Sequence, residues 1–118
     1  MSDPAAPPPG APPPNPPPAD LKPIIQDAPE ARRYEARIGD QLVGWVDYGR
    51  VGSRIVAIHT EVPPEFGGRG IASAMVRRVI DDARAAGATI TPRCPLFAAH
   101  FRRHPEDADV LAVRQQRD

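Results

Sequence analysis

The run Gly67-Gly68-Arg69-Gly70-Ile71-Ala72 sets three glycines between an apolar strand pattern and the first residues of an amphipathic helix pattern. A helix start carries N–H groups without intrahelical acceptors and partial positive charge from the peptide dipoles. Glycine lets a bulky anion approach those amides, so the run suits a ligand bearing a diphosphate. The competing reading is a tight strand-to-helix turn and nothing more. Just upstream, His59 and Glu61 lie two apart on the strand pattern and share a face if regular pairing persists, so either can act as a proton acceptor. Alternatively, His59 bonds a backbone carbonyl and Glu61 caps the turn. Cys94, held between Pro92 and Pro95, offers a thiol for proton donation, acyl transfer or redox contact, or else a small buried apolar side chain.

The elements that must position these groups follow from periodicity. Arg33 to Ile38 alternates as a half-buried strand, Gly39-Asp40 is a two-residue turn, and Gln41 to Asp47 returns as the second arm of a hairpin. Tyr48-Gly49-Arg50 and Gly52-Ser53 read as a break, and Arg54 to His59 as a third, more buried strand ending before Pro63-Pro64. Ile71, Met75, Val79 and Ala83, widened by Ala72, Val76 and Ile80, then give one apolar face of a helix that Gly87 stops. Ala88 to Thr91 reads as a short strand and Leu96 to Arg103 as a short second helix ended by His104-Pro105. Val110 to Val113 has the character of a last strand. The expected order is β-β-β-α-β-α with an optional final β.

Composition narrows the setting. Of 118 residues, 1–20 hold ten of the seventeen prolines and no Val, Ile, Leu or aromatic residue, so this stretch is expected to be a disordered proline-rich tail. Residues 21–118 are expected to form one domain. The Pro7 to Pro14 run of the tail can serve either as a partner ligand or as an inert solubilising tail. The whole chain balances fifteen basic against fifteen acidic residues, which makes no electrostatic case for nucleic acid or an anionic membrane. No apolar run approaches the roughly 20 residues that span a bilayer, and the N-terminus lacks a secretory pattern. With a single cysteine, a reducing, cytoplasmic home is expected, as a monomer or a weak homodimer. Three scattered histidines and one cysteine give no metal site.

A nucleoside triphosphate loop would need a lysine, and none follows Lys22. A dinucleotide fingerprint belongs to an early βαβ unit, whereas three antiparallel strands precede this loop. The combination instead resembles the GNAT acetyltransferase superfamily, whose Arg/Gln-x-x-Gly-x-Gly/Ala signature falls here on Gly67 to Ala72. His59-Thr60-Glu61-Val62-Pro63, Pro92-Arg93-Cys94-Pro95 and His104-Pro105-Glu106 resemble a small single-domain subgroup of it, over about residues 31–111. Gly67 departs from the signature, standing where Arg or Gln is usual.

The resemblance implies a minimal α/β (α+β) fold: a mixed, mostly antiparallel sheet with one main cofactor-binding helix and a short second helix. It implies acetyl-CoA as acetyl donor, held by Gly67 and by amides of Gly68, Arg69, Gly70, Ile71 and Ala72, with Arg69 or Ser73 side chains assisting. Backbone N–H groups from Thr60 to Val62 would hold the acetyl oxygen, and Glu61, His59 and Cys94 would lie near the reaction. A tyrosine often protonates the leaving thiolate in that superfamily, but none follows Tyr48 here. His100 and His104 are candidate spatial partners of Cys94. The two-residue turn after Ile38 implies an open acceptor side, suited to a peptide or small-molecule amine. The resemblance is equally compatible with a non-catalytic acyl-CoA-binding sensor or adaptor.

Overall fold

A computed structural model describes residues 22–112 of the chain. The tail expected over 1–20 and Val113 lie outside the described residues. Five strands form one sheet in the order β1 (Ile24–Ala28), β2 (Arg33–Ile38), β3 (Gln41–Val51), β4 (Arg54–Glu61) and β5 (Thr89–Pro92). Neighbours are antiparallel from β1 to β4. Only β4 and β5 are parallel, joined by α1 (Ile71–Ala86). A second helix, α2 (Pro95–Arg103), follows, and its Pro95 sits in the first turn, where a missing N–H costs nothing.

Three sequence expectations are corrected. β1 was not anticipated: only Ile25 of its residues packs against the core, so it lacks the alternation that marks a strand, and its ladder with β2 holds it. The break expected at Tyr48 does not occur. β3 runs on to Val51 because Tyr48 is buried and still pairs across to Ala57, and the turn comes at Gly52, where φ is 59°. In place of a last strand, Pro105–Val110 forms a 3-10 helix, and strand pairing shrinks to a bridge between Leu111 and Ile90. Proline and two acidic residues at the start of that segment favour a helical turn.

The α1 stripe behaves as its spacing predicts. Ile71, Met75, Val76, Val79, Ile80 and Ala83 are buried against Tyr34, Ala36, Val43, Val46, Ile55 and Ala57 of the sheet. Each large aliphatic side chain so buried is worth about 1.5 to 3 kcal/mol of transfer free energy. Gly87, at φ 69°, ends the helix in the left-handed conformation that leaves its N–H to the carbonyls of Ala83 and Arg84. The other face of β2 and β3 carries Arg33, Glu35, Arg37, Trp45 and Asp47, with Glu35 bonded to both arginines and Arg33 over the Trp45 ring. Among the described residues no helix is long and apolar enough to cross a membrane.

Candidate functional site

The site is built where β4 leaves β5. Ladder pairing between these strands covers Arg54 to Ala57 on β4 and ends at Pro92 on β5, with Cys94 N–H donating to the Ala57 carbonyl at 2.8 Å as a last tie. From His59 to Glu61, β4 keeps its β3 neighbour but has no ladder partner on the β5 side. The strands therefore open into a fork, and the chain leaves β4 at its open end to run through Pro64–Phe66 into the glycine run.

A bulge decides what faces this fork. Tyr48 pairs with Ala57 and Asp47 with His59, so Ile58 is the extra residue on β4. Simple alternation from buried Ile55 and Ala57 would have sent His59 and Glu61 into the core. The bulge reverses this: Thr60, opposite buried Val46, faces the core, while His59 and Glu61 face the other side, opposite Asp47 and Trp45. There His59 Nε2 and Glu61 Oε1 are 2.9 Å apart, with both side chains about half exposed.

On the core side, Thr60 Oγ1 lies 3.3 Å from Cys94 Sγ, and Cys94 is 2% exposed. The structure thus joins His59 to Glu61 and Thr60 to Cys94, but places the two pairs on opposite faces of β4. His100 and His104 are not partners of Cys94, contrary to expectation. His100 Nε2 lies 2.9 Å from Asp107, and His104 stacks on His100 at 4.4 Å while bonding Glu106.

The glycine run follows β4 and leads into α1. Pro64–Phe66 makes one 3-10 turn that buries Phe66, and the Arg69 guanidinium lies over its ring at 5.9 Å. Gly68 and Gly70 have φ of 77° and 75°, a region side chains disfavour, and a Cβ at either would meet nothing within 4 Å. Gly67 is extended and needs no such freedom; a Cβ there would lie 3.3 Å from the Pro64 carbonyl. Gly70 begins α1 with no side-chain cap and no acidic residue in the first turn. The first intrahelical bond is accepted by the Gly70 carbonyl from Ala74, so the N–H groups of Ile71, Ala72 and Ser73 have no intrahelical acceptor. They border a depression of about 170 Å³ lined by Val62, Phe66, Gly67, Gly68, Gly70, Ile71, Ala72 and Ser73. Orphan donors, a positive dipole end and glycines around open space fit a diphosphate.

Both tyrosines are committed elsewhere. Tyr34 donates to Asp82 at 2.8 Å and Tyr48 to Asp27 at 2.6 Å. Burial first, then these bonds, raise both hydroxyls, Tyr48 to about 12 and Tyr34 further. Neither is a ready proton donor.

Asp107 is the polar residue that sequence reasoning missed. It is 3% exposed and accepts from Arg77 at 2.6 and 3.2 Å, from Arg84 at 3.0 Å and from His100 at 2.9 Å. The Arg77 bonds hold its carboxyl far below the usual range, against the opposing effect of burial. An ionised carboxylate only accepts, so the proton on His100 sits at Nε2. The available signal was the pair of arginines on α1, two turns apart, pointing toward the His-Pro-Glu-Asp segment. Among the described residues no group of three or more His, Cys, Asp or Glu side chains is arranged to hold a metal ion.

Comparison with known proteins follows the same outline. The family model described as GCN5-related N-acetyl-transferase matches residues 33–110. Among solved structures, the NMR structure of a GCN5-like protein from Staphylococcus aureus aligns with a TM-score of 0.60 at 19% identity, covering 79% of this chain and 91% of that one. That likeness concerns the fold. No curated protein matches the chain.

Proposed function

Because the chain belongs to the GCN5-related N-acetyltransferase family, we propose that it transfers an acetyl group from acetyl-CoA to an amine. The observation that carries this reading is the uncapped, glycine-flanked start of α1 at the mouth of a fork between parallel strands. Main-chain N–H groups of Gly68, Arg69, Gly70, Ile71 and Ala72, with the Ser73 hydroxyl, would hold the diphosphate. Gly67, lacking a side-chain cation, lines the same depression. The unpaired edge from Thr60 to Val62 supplies amides for the acyl oxygen. When bound, acetyl-CoA contributes an acyl group activated as a thioester.

The side chains divide the proton work between the two faces of β4. On the outer face, Glu61 accepts a hydrogen bond from His59 Nε2, which leaves His59 Nδ1 to take a proton from the acceptor ammonium and Glu61 to stabilise the imidazolium. On the core face, the Cys94 thiol and Thr60 hydroxyl are the donors nearest the fork and return a proton to the departing sulfur. One N–C bond forms and one C–S bond breaks; the ammonium loses two protons in all on becoming an amide, and since the sulfur gains one, one proton is released to solvent for each acetyl group transferred.

Calorimetry with acetyl-CoA and CoA tests the reading, with binding expected in the micromolar range. Gly70→Val should abolish binding, because a side chain at φ 75° is strained and occupies the open space at the helix start. No binding by the wild-type chain at high micromolar ligand would overturn the proposal. Binding without thiol release across a panel of amines and peptides would make the chain an acyl-CoA-binding module instead.

A further inference from the structure

The face of β4 that carries His59 and Glu61 continues across the sheet in two cross-strand rows. One row runs His59, Asp47, Arg33 and Ala28 from β4 to β1, and the next runs Glu61, Trp45, Glu35 and Gln26. Side chains directly opposed on such a ladder lie close enough to pair, so Arg33 is the expected counterion of Asp47. It is not used that way. Its guanidinium bonds Glu35 at 2.8 Å and lies over the Trp45 ring at 5.4 Å, and Arg37 bonds the other Glu35 oxygen at 3.0 Å. Glu61 is engaged with His59 at 2.9 Å. Asp47 is left half-buried, and its carboxylate makes no hydrogen bond or ion pair with any described residue.

The position of that carboxylate gives its unspent charge a use. On one side of it stands His59, the proposed proton acceptor, and beyond His59 the strand has no ladder partner, so an acceptor amine reaches His59 at the fork. Asp47 then lies about 5 Å further in, one strand spacing. A carboxylate held there, half out of water and without a partner, gains most from an ammonium, which brings both opposite charge and N–H donors. On its far side Arg33, itself tied to Glu35, closes the seat to any additional cation. The Trp45 ring offers no second seat on the face that Arg33 covers.

We propose that Asp47 is a specificity-determining residue and that the acceptor is an amine carrying a second positive charge a short chain away, as in a small diamine. One nitrogen loses its proton at His59 and attacks the thioester, while the other stays an ammonium on Asp47. Asp47 takes no proton in the transfer. The inference rests on the reading of His59 and Glu61 as the acceptor side of an acetyltransferase.

Steady-state thiol release from acetyl-CoA by the full chain, with 1,4-diaminobutane and butylamine as matched acceptors, tests it. In the wild type kcat/KM should be about tenfold higher for the diamine, carried by KM rather than kcat, and the ratio should shrink as salt rises. Asp47→Asn, which keeps the shape and removes the charge, should bring the ratio near one, and Asp47→Glu should restore part of it. Asp40→Asn, which removes the same charge at the exposed β2–β3 turn, should keep the ratio. Equal kcat/KM for the two amines in the wild type, or a diamine preference that survives in Asp47→Asn, would overturn the inference and leave the acetyltransferase reading standing. So would a loss of equal size for both amines in Asp47→Asn, which would make Asp47 a structural support. Release with neither amine overturns it too: release with peptides would then leave the acetyltransferase reading standing, and no release with any acceptor would remove both.

Discussion

His59 and Glu61 share a face of β4 because they are two residues apart, and Thr60 between them must take the opposite one. One extra residue, Ile58, decides which face is which. Single substitutions can therefore separate the proposed proton acceptor on one face from the proposed donor on the other. His59→Ala and Glu61→Gln should each lower kcat by about 100-fold, the usual scale of a positioned base, with acetyl-CoA affinity unchanged. Steady-state turnover alongside calorimetry checks this. Undiminished turnover in His59→Ala would move the base to Glu61 itself. Cys94→Ala should likewise spare binding and slow release of the CoA thiol; unchanged turnover would return Cys94 to a packing role, consistent with its burial beside Thr60.

At the scale of elements, the start of α1 is set by a close approach to the sheet. A Cβ on Gly44 would lie 2.9 Å from the Met75 terminal methyl and 3.2 Å from both the Glu61 carbonyl and an Ile71 methyl. Glycine in β3 thus lets the first turns of α1 sit directly over β3 and the end of β4. Met75 can yield at its flexible end, whereas the Glu61 carbonyl belongs to β4. Gly44→Val should therefore destabilise the fold by about 2 kcal/mol, lowering the melting temperature by roughly 10 °C, and should weaken acetyl-CoA binding by displacing the helix start. Thermal unfolding with and without ligand tests both effects. Gly44→Ala, which Met75 can accommodate in part, should show a smaller version of each.

Across the whole molecule, Asp107 fastens the C-terminal segment to the rest. One buried carboxylate accepts from two turns of α1 and from α2, so the 3-10 segment, α1 and α2 hold together through it. Its folded value lies below the ordinary 3.8, so its contribution is fully present above that pH and is lost as pH falls through the depressed folded value. Asp107→Asn should cost about 2 kcal/mol near neutral pH, since charged hydrogen bonds are lost while Arg77 and Arg84, at 42% and 40% side-chain exposure, regain water. The gap between wild type and variant in denaturant titrations should narrow at about pH 3 relative to about pH 7. An unchanged gap would mean that another group carries the acid sensitivity.

Local rules reached a long way into this protein. The period of Ile71, Met75, Val79 and Ala83, the stop at Gly87, the turn at Gly39-Asp40 and the glycine run at a strand-to-helix junction all depend on neighbours within a turn or two, and the structure bears each of them out. Where the outcome depended on distant partners, the sequence was silent. Ile24–Ala28 is a strand because β2 offers an edge, and Val110 does not become one because Pro105 and two acidic residues start a 3-10 turn. The bulge at Ile58 is a mismatch between two strands, so no single strand encodes it, and it inverted the face on which His59 and Glu61 stand. The partners of Cys94 and His100 were likewise set by packing, Thr60 from across the fork and Asp107 from beyond the second helix. The sequence by itself determined the β2–β3 hairpin, β4, the two helices and the glycine run where amides at a helix start are left over. Only the tertiary structure decided which side chains meet, because a side chain's neighbours are fixed by register, bulges and docking between segments far apart in the chain.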